Sequence, residues 1–445
     1  MLSLFILLLL CPFHMSALTN NPRGDLLEYS VVYTDRAVNL MAAPFQQVMK
    51  DISQAMKTVY NCPSVAVIPG SGTYGMEACA REFGSGGKCL VIRNGYFSFR
   101  WTDIFNCGKF ADHIDPLATE TPDWTHVIPA RANDAPDGSA CGRHHDGGSS
   151  SSSSSGTCRR HDSIQFKPTD VADACAQILR EQPVAVFAPH VETSTGIIMT
   201  DEHIKQLSDA THAVGGIFVL DCIASGTIWV DMKKTGVDAL ISAPQKGWSG
   251  PACCGLVMLS ELAVERIKNP TNTDIGKSFS VDLGKWLNVM ETYEGGGFKY
   301  YTTLPTDALT QFRDVIQETE AFGYEKAKEA LYVLGSRVRE EMLKRGFPSV
   351  AVKENAAPGV VVLYNNALPG KNIGSEFKKN GLQIAGGVPF MLNEDKEHGI
   401  NGRERCFRLG LFGLDKIQNI DRTVERLCNA VDQILVAFKS SGGKM

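Results

Sequence analysis

The chain has 445 residues, 43% hydrophobic and 21% charged, enough apolar material to bury a large core over about two or three domains. Its net charge of -5 is spread along the sequence without a basic stripe, which excludes the electrostatic footprint of a nucleic-acid or anionic-membrane binder and favours small-molecule partners. Thirteen cysteines form no C-x-x-C pair and no Cys/His cluster with zinc spacing. No metal site is expected, and several cysteines in apolar runs, such as Cys222, Cys253 and Cys254, read as free buried thiols in a reducing setting.

In chain order, Leu2 to Leu10 is an apolar stretch broken only by Ser3, too short to span a bilayer and about as long as the core of a signal peptide, but without basic residues before it. Residues 1–17 are read as a signal-like segment or as an N-terminal extension. The expected setting is cytoplasmic, with organellar or secretory targeting as the alternative.

From residue 18 the pattern alternates. Strand character is found at Ser64 to Ile68, Lys88 to Ile92, Ala185 to Ala188, Ile217 to Leu220, Ala239 to Ser242 and Gly255 to Leu259, and helical patterns include Gly75 to Phe83, Ala172 to Glu181 and Asp201 to Val214. Alternation of this kind predicts an α/β fold with a mostly parallel central sheet, whose ligands bind at the carboxyl ends of strands. This large domain is taken to cover residues 18–304. Within it, Asp137 to Asp162 contains a run of seven serines flanked by Gly, His and Arg, which cannot bury enough apolar area to offset its ordering entropy and reads as a disordered insert. Residues 305–445 read as a smaller C-terminal α+β domain. There Leu309, Phe312 and Ile316 share a face, as do Leu331, Leu334, Val338 and Met342. The short strands Gly359 to Leu363 and Cys406 to Leu411 follow, then a final helix from Ile420 to Phe438, and these stripes are core.

Four segments carry the chemistry. The turn Pro69-Gly70-Ser71-Gly72-Thr73 leads from a strand into a helix and offers N–H groups and two hydroxyls to a phosphate, though small-residue turns follow many strands. In His190-Val191-Glu192-Thr193-Ser194-Thr195-Gly196, three consecutive hydroxyl residues at a strand's carboxyl end are expected to face a polar cavity; the plainer reading is a capping turn. Asp221 directly follows an apolar strand, where a buried carboxylate needs a cationic partner, and a pyridinium would supply one. Lys246, in Ser242-Ala243-Pro244-Gln245-Lys246-Gly247-Trp248, is on its own a surface lysine after a strand. Paired with Asp221 it suggests an enzyme of pyridoxal 5'-phosphate, which needs an amine to hold its aldehyde and a carboxylate to keep its ring nitrogen protonated.

With PGSGT, HVETSTG, LDCIASG and SAPQKGW in this order, the chain from about Asn39 onwards resembles the class V aminotransferases of pyridoxal-phosphate fold type I, nearest to the alanine-glyoxylate and serine-pyruvate aminotransferases. The resemblance implies Lys246 as the cofactor-anchoring and proton-moving lysine, and Asp221 as partner of the ring nitrogen. It implies Thr193 at the ring hydroxyl, and Ser71, Gly72, Thr73 and Gln245 at the phosphate. In Lys299-Tyr300-Tyr301-Thr302-Thr303, Tyr300 and Thr303 match residues that reach the phosphate of a neighbouring subunit, which implies a homodimer with shared sites. Arg408 falls where the family binds the substrate's α-carboxylate. Phe97 stands where this subgroup usually has Trp, so stacking on the ring is kept and an indole N–H bond is not.

The activity so implied is transamination from a small amino acid of alanine or serine type to a 2-oxo acid such as glyoxylate or pyruvate. The alternatives are a 2-aminoethylphosphonate-type transaminase and a lyase of the cysteine desulfurase type; the latter expects a histidine over the ring, where this chain offers Phe97. The amino donor is not legible, because the entrance segments around Ala42 to Phe45 and Gly386 to Asn401 carry no readable code.

Overall fold

The computed structural model describes residues 27–110, 125–129, 131–133, 164–270, 276–392 and 401–442. The signal-like segment 1–17 and the serine-rich insert 137–162 lie outside them. The centre is a seven-stranded sheet of β1 (Ser64–Pro69), β2 (Cys89–Arg93), β3 (Thr125–Pro129), β4 (Ala185–Pro189), β5 (Ile217–Asp221), β6 (Ala239–Ser242) and β7 (Cys254–Leu259). They lie side by side in the order β1-β7-β6-β5-β4-β2-β3. β7 runs antiparallel to both neighbours, and the other pairs are parallel. Apart from that one reversed strand, this is the mostly parallel sheet expected.

These strands are continuous apolar runs rather than alternating ones because helices cover both faces of the sheet. All of Ala185–Pro189 and Cys254–Leu259 is buried. Among the covering helices, α1 (Ala43–Tyr60) buries Phe45, Val48, Ile52 and Met56. Part of the presumed entrance segment Ala42 to Phe45 is therefore the first turn of a helix, and Phe45 is core. α2 (Gly72–Gly84) and α3 (Phe99–Gly108) follow β1 and β2. α4 (Val171–Glu181) precedes β4, and α5 (Asp201–Ala213) starts at Thr200, whose hydroxyl accepts the His203 N–H, with two acidic residues in its first turn facing the helix dipole.

Two apolar cores result. The first lies around the large sheet and takes in α6 (Leu283–Glu294) through Trp286 and Met290, and α7 (Thr306–Phe322) through Leu309, Phe312 and Ile316. The second forms along α8 (Tyr324–Lys344), α9 (Ile420–Ser440) and a small antiparallel sheet of β8 (Val360–Tyr364), β9 (Ala385–Gly386) and β10 (Cys406–Gly410), in the order β8-β10-β9. Val191, Ile197, Ala224 and Ile228, from the turns beyond β4 and β5, pack into this second core. The carboxyl ends of β4 and β5 therefore open against the smaller unit, where a cleft between the two is formed.

Among the described residues no helix is long and apolar enough to cross a membrane. Their cysteines form no disulfide with one another, and most of them are buried. No group of His, Cys, Asp or Glu among them is arranged to hold a metal ion.

Candidate active site

The first wall of the cleft follows β1. Gly70 has φ +125°, and a side chain there would strike the Tyr74 ring at 2.9 Å; its N–H is held by the Cys253 carbonyl at 2.9 Å. Ser71 is extended and α2 begins at Gly72, three residues before the start that the apolar pattern suggests. The helix can begin so early because its glycines let it lie on the sheet: a Cβ on Gly72 would come 2.5 Å from Ile223 Cδ1, and one on Gly75 would come 3.1 Å from Ile241 Cγ2. The half-buried Ser71 and Thr73 thus stand at the positive end of α2, where first-turn N–H groups lack intrahelical partners. Thr73 Oγ1 accepts from Arg100 Nη1 at 3.1 Å.

The second wall joins the turn after β2 to the turn after β4 through Glu192, which is fully buried. Its Oε1 accepts the N–H groups of Phe97 (3.1 Å) and Ser194 (2.9 Å) and the Ser194 hydroxyl (2.8 Å). Its Oε2 accepts the N–H and hydroxyl of Ser98, both at 2.8 Å. These five donors satisfy both carboxylate oxygens. Gly95 makes room for it, since a Cβ there would lie 2.0 Å from Ser194 Oγ. The expectation that three hydroxyl residues face a cavity is corrected here. Ser194 is bound to Glu192, and Thr195 Oγ1 donates to the Asn94 carbonyl at 2.9 Å; Thr193 alone of the three is only half-buried. The clamp holds Phe97 at the cleft, half-buried, with Arg408 5.6 Å and Arg100 5.7 Å from its ring centre.

The floor comes from β5 and β6. Asp221, half-buried, accepts the Ile223 N–H at 2.9 Å and has no ion-pair partner among the described residues. Burial pushes its carboxyl up to about 6, against the opposing pull of the Ile223 N–H and of Arg100 and Lys246. Behind it, His190 donates its backbone N–H to the Asp221 carbonyl (2.8 Å) and shares a 2.7 Å contact between Nδ1 and Ser225 Oγ; burial holds its imidazole at about 3, and therefore neutral.

Lys246 stands half-buried on the loop after β6, its amine 5.5 Å from the centre of the Phe412 ring. Burial, then the positive charges of Arg408 and Arg100, hold that amine below the usual lysine range. Gln245 beside it is exposed. Gly247 touches the other loop directly, and a Cβ there would fall 2.0 Å from the Gly226 carbonyl oxygen.

Arg408, on β10, reaches the same cleft from the smaller unit, with Nε donating to the Gly386 carbonyl at 2.8 Å. The structure therefore brings Ser71, Gly72, Thr73, Phe97, Asp221, Lys246 and Arg408 to the ends of neighbouring strands or onto the wall facing them. Tyr300 and Thr303 are different. They lie on the surface, Tyr300 55% exposed, and their hydroxyls are 3.4 Å apart.

Sequence reasoning missed Arg100, Glu192, His190 and Phe412. His190 and Glu192 lie inside a motif already singled out, and Arg100 lies three residues beyond Phe97, one helical turn away. Phe412 directly follows the strand that bears Arg408.

A family model described as "Aminotransferase class-V" matches residues 165–411, more than half of the chain. The chain is 24% identical over 402 residues to the soluble hydrogenase small subunit of a Synechococcus strain, covering 88% of this chain and 85% of that one. To alanine–glyoxylate aminotransferase 1 of Saccharomyces cerevisiae it is 24% identical over 359 residues (77% and 79%). To a 2-aminoethylphosphonate–pyruvate transaminase of Vibrio parahaemolyticus it is 24% identical over 376 residues, 83% of each. Among solved structures, an alanine–glyoxylate aminotransferase from Nostoc superposes with a TM-score of 0.67 at 18% identity, covering 90% of this chain and 89% of the other.

Proposed function

Because the chain belongs to the class V aminotransferases, and so is a transaminase dependent on pyridoxal phosphate, we propose that it moves the amino group of a small amino acid, of alanine or serine type, to a 2-oxo acid such as glyoxylate or pyruvate. The observation that carries this reading is the meeting of Lys246, Asp221 and Arg408 at one cleft, below a helix start lined with hydroxyl groups.

The donor set suits the cofactor. N–H and hydroxyl donors stand at one end and, at the other, a carboxylate without an ion pair among the described residues, with a primary amine of lowered proton affinity nearby. Ser71, Gly72, Thr73 and Gln245 would hold the phosphate, Thr193 the ring hydroxyl, Phe97 the ring face and Asp221 the ring nitrogen. When bound, the cofactor supplies an electron sink for the substrate's α-carbon. The Lys246 amine is available as a free base near neutral pH more readily than an ordinary lysine would be, so its Nζ can take the substrate's α-proton and deliver it elsewhere. Asp221, facing a cation, stays ionised and fixes the charge it faces. Arg408 grips the α-carboxylate with its two-pronged guanidinium and orients the α-hydrogen towards Lys246. Tyr300 and Thr303, exposed on this chain, complete the phosphate site of a second copy in a homodimer.

The 2-aminoethylphosphonate reading is favoured by the Vibrio relative and by Arg408, which suits a phosphonate as well as a carboxylate. Alanine, serine, aspartate and 2-aminoethylphosphonate, each supplied with glyoxylate or pyruvate, separate the two. Alanine plus glyoxylate is expected to give pyruvate. Reaction with the phosphonate alone, or sulfide release from cysteine, would overturn the small-amino-acid reading. Lys246→Ala should abolish both the visible absorbance of lysine-bound cofactor and steady-state turnover, and normal turnover in that variant refutes the role given to Lys246.

A further inference from the structure

Arg100 is a half-buried cation that the roles above leave unused. It stands on the first turn of α3, one helical turn beyond Phe97, so its guanidinium and the Phe97 ring share one side of that turn, 5.7 Å apart. Its Nη1 donates to the neutral hydroxyl of Thr73 at 3.1 Å, and among the described residues no carboxylate lies within ion-pair distance of it.

This placement is unfavourable by itself. Thr73 is the second residue of the 13-residue helix α2, so Arg100 sets a full positive charge beside the positive end of a helix dipole, in a half-buried position. Neither nearby carboxylate relieves it. Glu192 has its oxygens taken by five donors from the turns it clamps. Asp221 feels the charge of Arg100 but forms no ion pair with it. An anion between Arg100 and the start of α2 would balance both the guanidinium and the helix dipole. Anchoring by Nη1 leaves Nη2 and Nε of the fork, a geometry that suits phosphate oxygens.

We propose that Arg100 is a further phosphate ligand, completing from α3 the cradle that Ser71–Thr73 opens from α2. The proposal rests on the pyridoxal phosphate reading and deepens it. The substrate's carboxylate is the rival anion. Arg408 serves that role from the opposite unit, whereas Arg100 is tied to Thr73 and so to the cofactor's phosphate end.

Pyridoxal, which lacks the phosphate, provides the test. Cofactor-free wild type, Arg100→Gln and Arg100→Lys are titrated with pyridoxal phosphate and separately with pyridoxal, following visible absorbance, and inorganic phosphate is added as competitor. Arg100→Gln should weaken pyridoxal phosphate binding about tenfold to a hundredfold, leave pyridoxal binding unchanged, and blunt competition by phosphate. Arg100→Lys, with a point charge in place of the fork, should fall between. Equal affinity of Arg100→Gln and wild type for pyridoxal phosphate overturns the proposal. So does a parallel loss of both ligands, which would make Arg100 a support of the fold. If wild type binds neither ligand, the cofactor reading itself has failed, a result separate from either.

Discussion

Two carboxylates at the cleft have opposite environments, and the difference assigns their work. Glu192 is wrapped by N–H and O–H donors from both turns, so it serves as the pin between the Phe97 turn and the strand-end motif. Among the described residues Asp221 has one N–H donor and no ion pair, and its carboxyl is pushed up to about 6 by burial. In the cofactor-free protein this has a stability consequence whose sign can be worked out. The folded state holds the Asp221 proton more tightly than the unfolded chain, whose aspartate titrates near pH ~4. Stability from this group is complete below that value and is lost as pH rises through about 6. Asp221→Asn cannot ionise there. The cofactor-free variant should therefore show a smaller fall in Tm than the parent across this interval, measured by thermal unfolding at a series of pH values. Identical profiles would show that burial of Asp221 carries no such cost.

At the level of elements, the strand ends were legible because an apolar run meets a polar residue: Asp221 after Ile217 to Leu220, and His190 after Ala185 to Pro189. The start of α2 was not, since Gly72 is a poor helix former and the reason it serves, contact with Ile223, lies across the fold. Ser194 read as cavity lining for a similar reason. Its partner is the side chain of Glu192, and the Glu192 carboxylate is filled in part from a turn more than ninety residues upstream. Arg100 was silent because Thr73, its partner, belongs to another helix. The loops after β5 and β6 show how such contacts set the site. Gly226 and Gly247 meet backbone to backbone, and this contact places Lys246 beside Asp221. Gly247→Ala would put a methyl group 2.0 Å from the Gly226 carbonyl oxygen, too close for any rotamer to relieve. The variant is expected to lose about 2 kcal/mol or more of stability, read by denaturant unfolding, and to hold less lysine-bound cofactor at a given concentration. Unchanged stability and absorbance would show that the two loops are not rigidly coupled.

On the scale of the whole molecule, Tyr300 and Thr303 lie on the surface, apart from the residues that the strand ends bring together. Tyr300 is 55% exposed, Phe298 45% and Phe279 74%, an apolar surface of the kind that marks a protein contact. If Tyr300 and Thr303 serve the phosphate of a second copy, damage to Lys246 and damage to this pair should complement between subunits. Lys246→Ala leaves its own site without an amine yet lends an intact Tyr300 and Thr303 to its neighbour. The double variant Tyr300→Ala, Thr303→Ala does the reverse. Homodimers of either should have little activity at limiting cofactor, whereas in a hybrid one site receives Lys246 from one subunit and the intact pair from the other. Random pairing makes half the dimers hybrids, so about a quarter of all sites should recover. Co-expression with two affinity tags, isolation of the doubly tagged species and assay at limiting pyridoxal phosphate would measure this. Self-contained sites would give a hybrid no more active than the mean of its parents, and a protein that yields no doubly tagged species would overturn the shared-site homodimer.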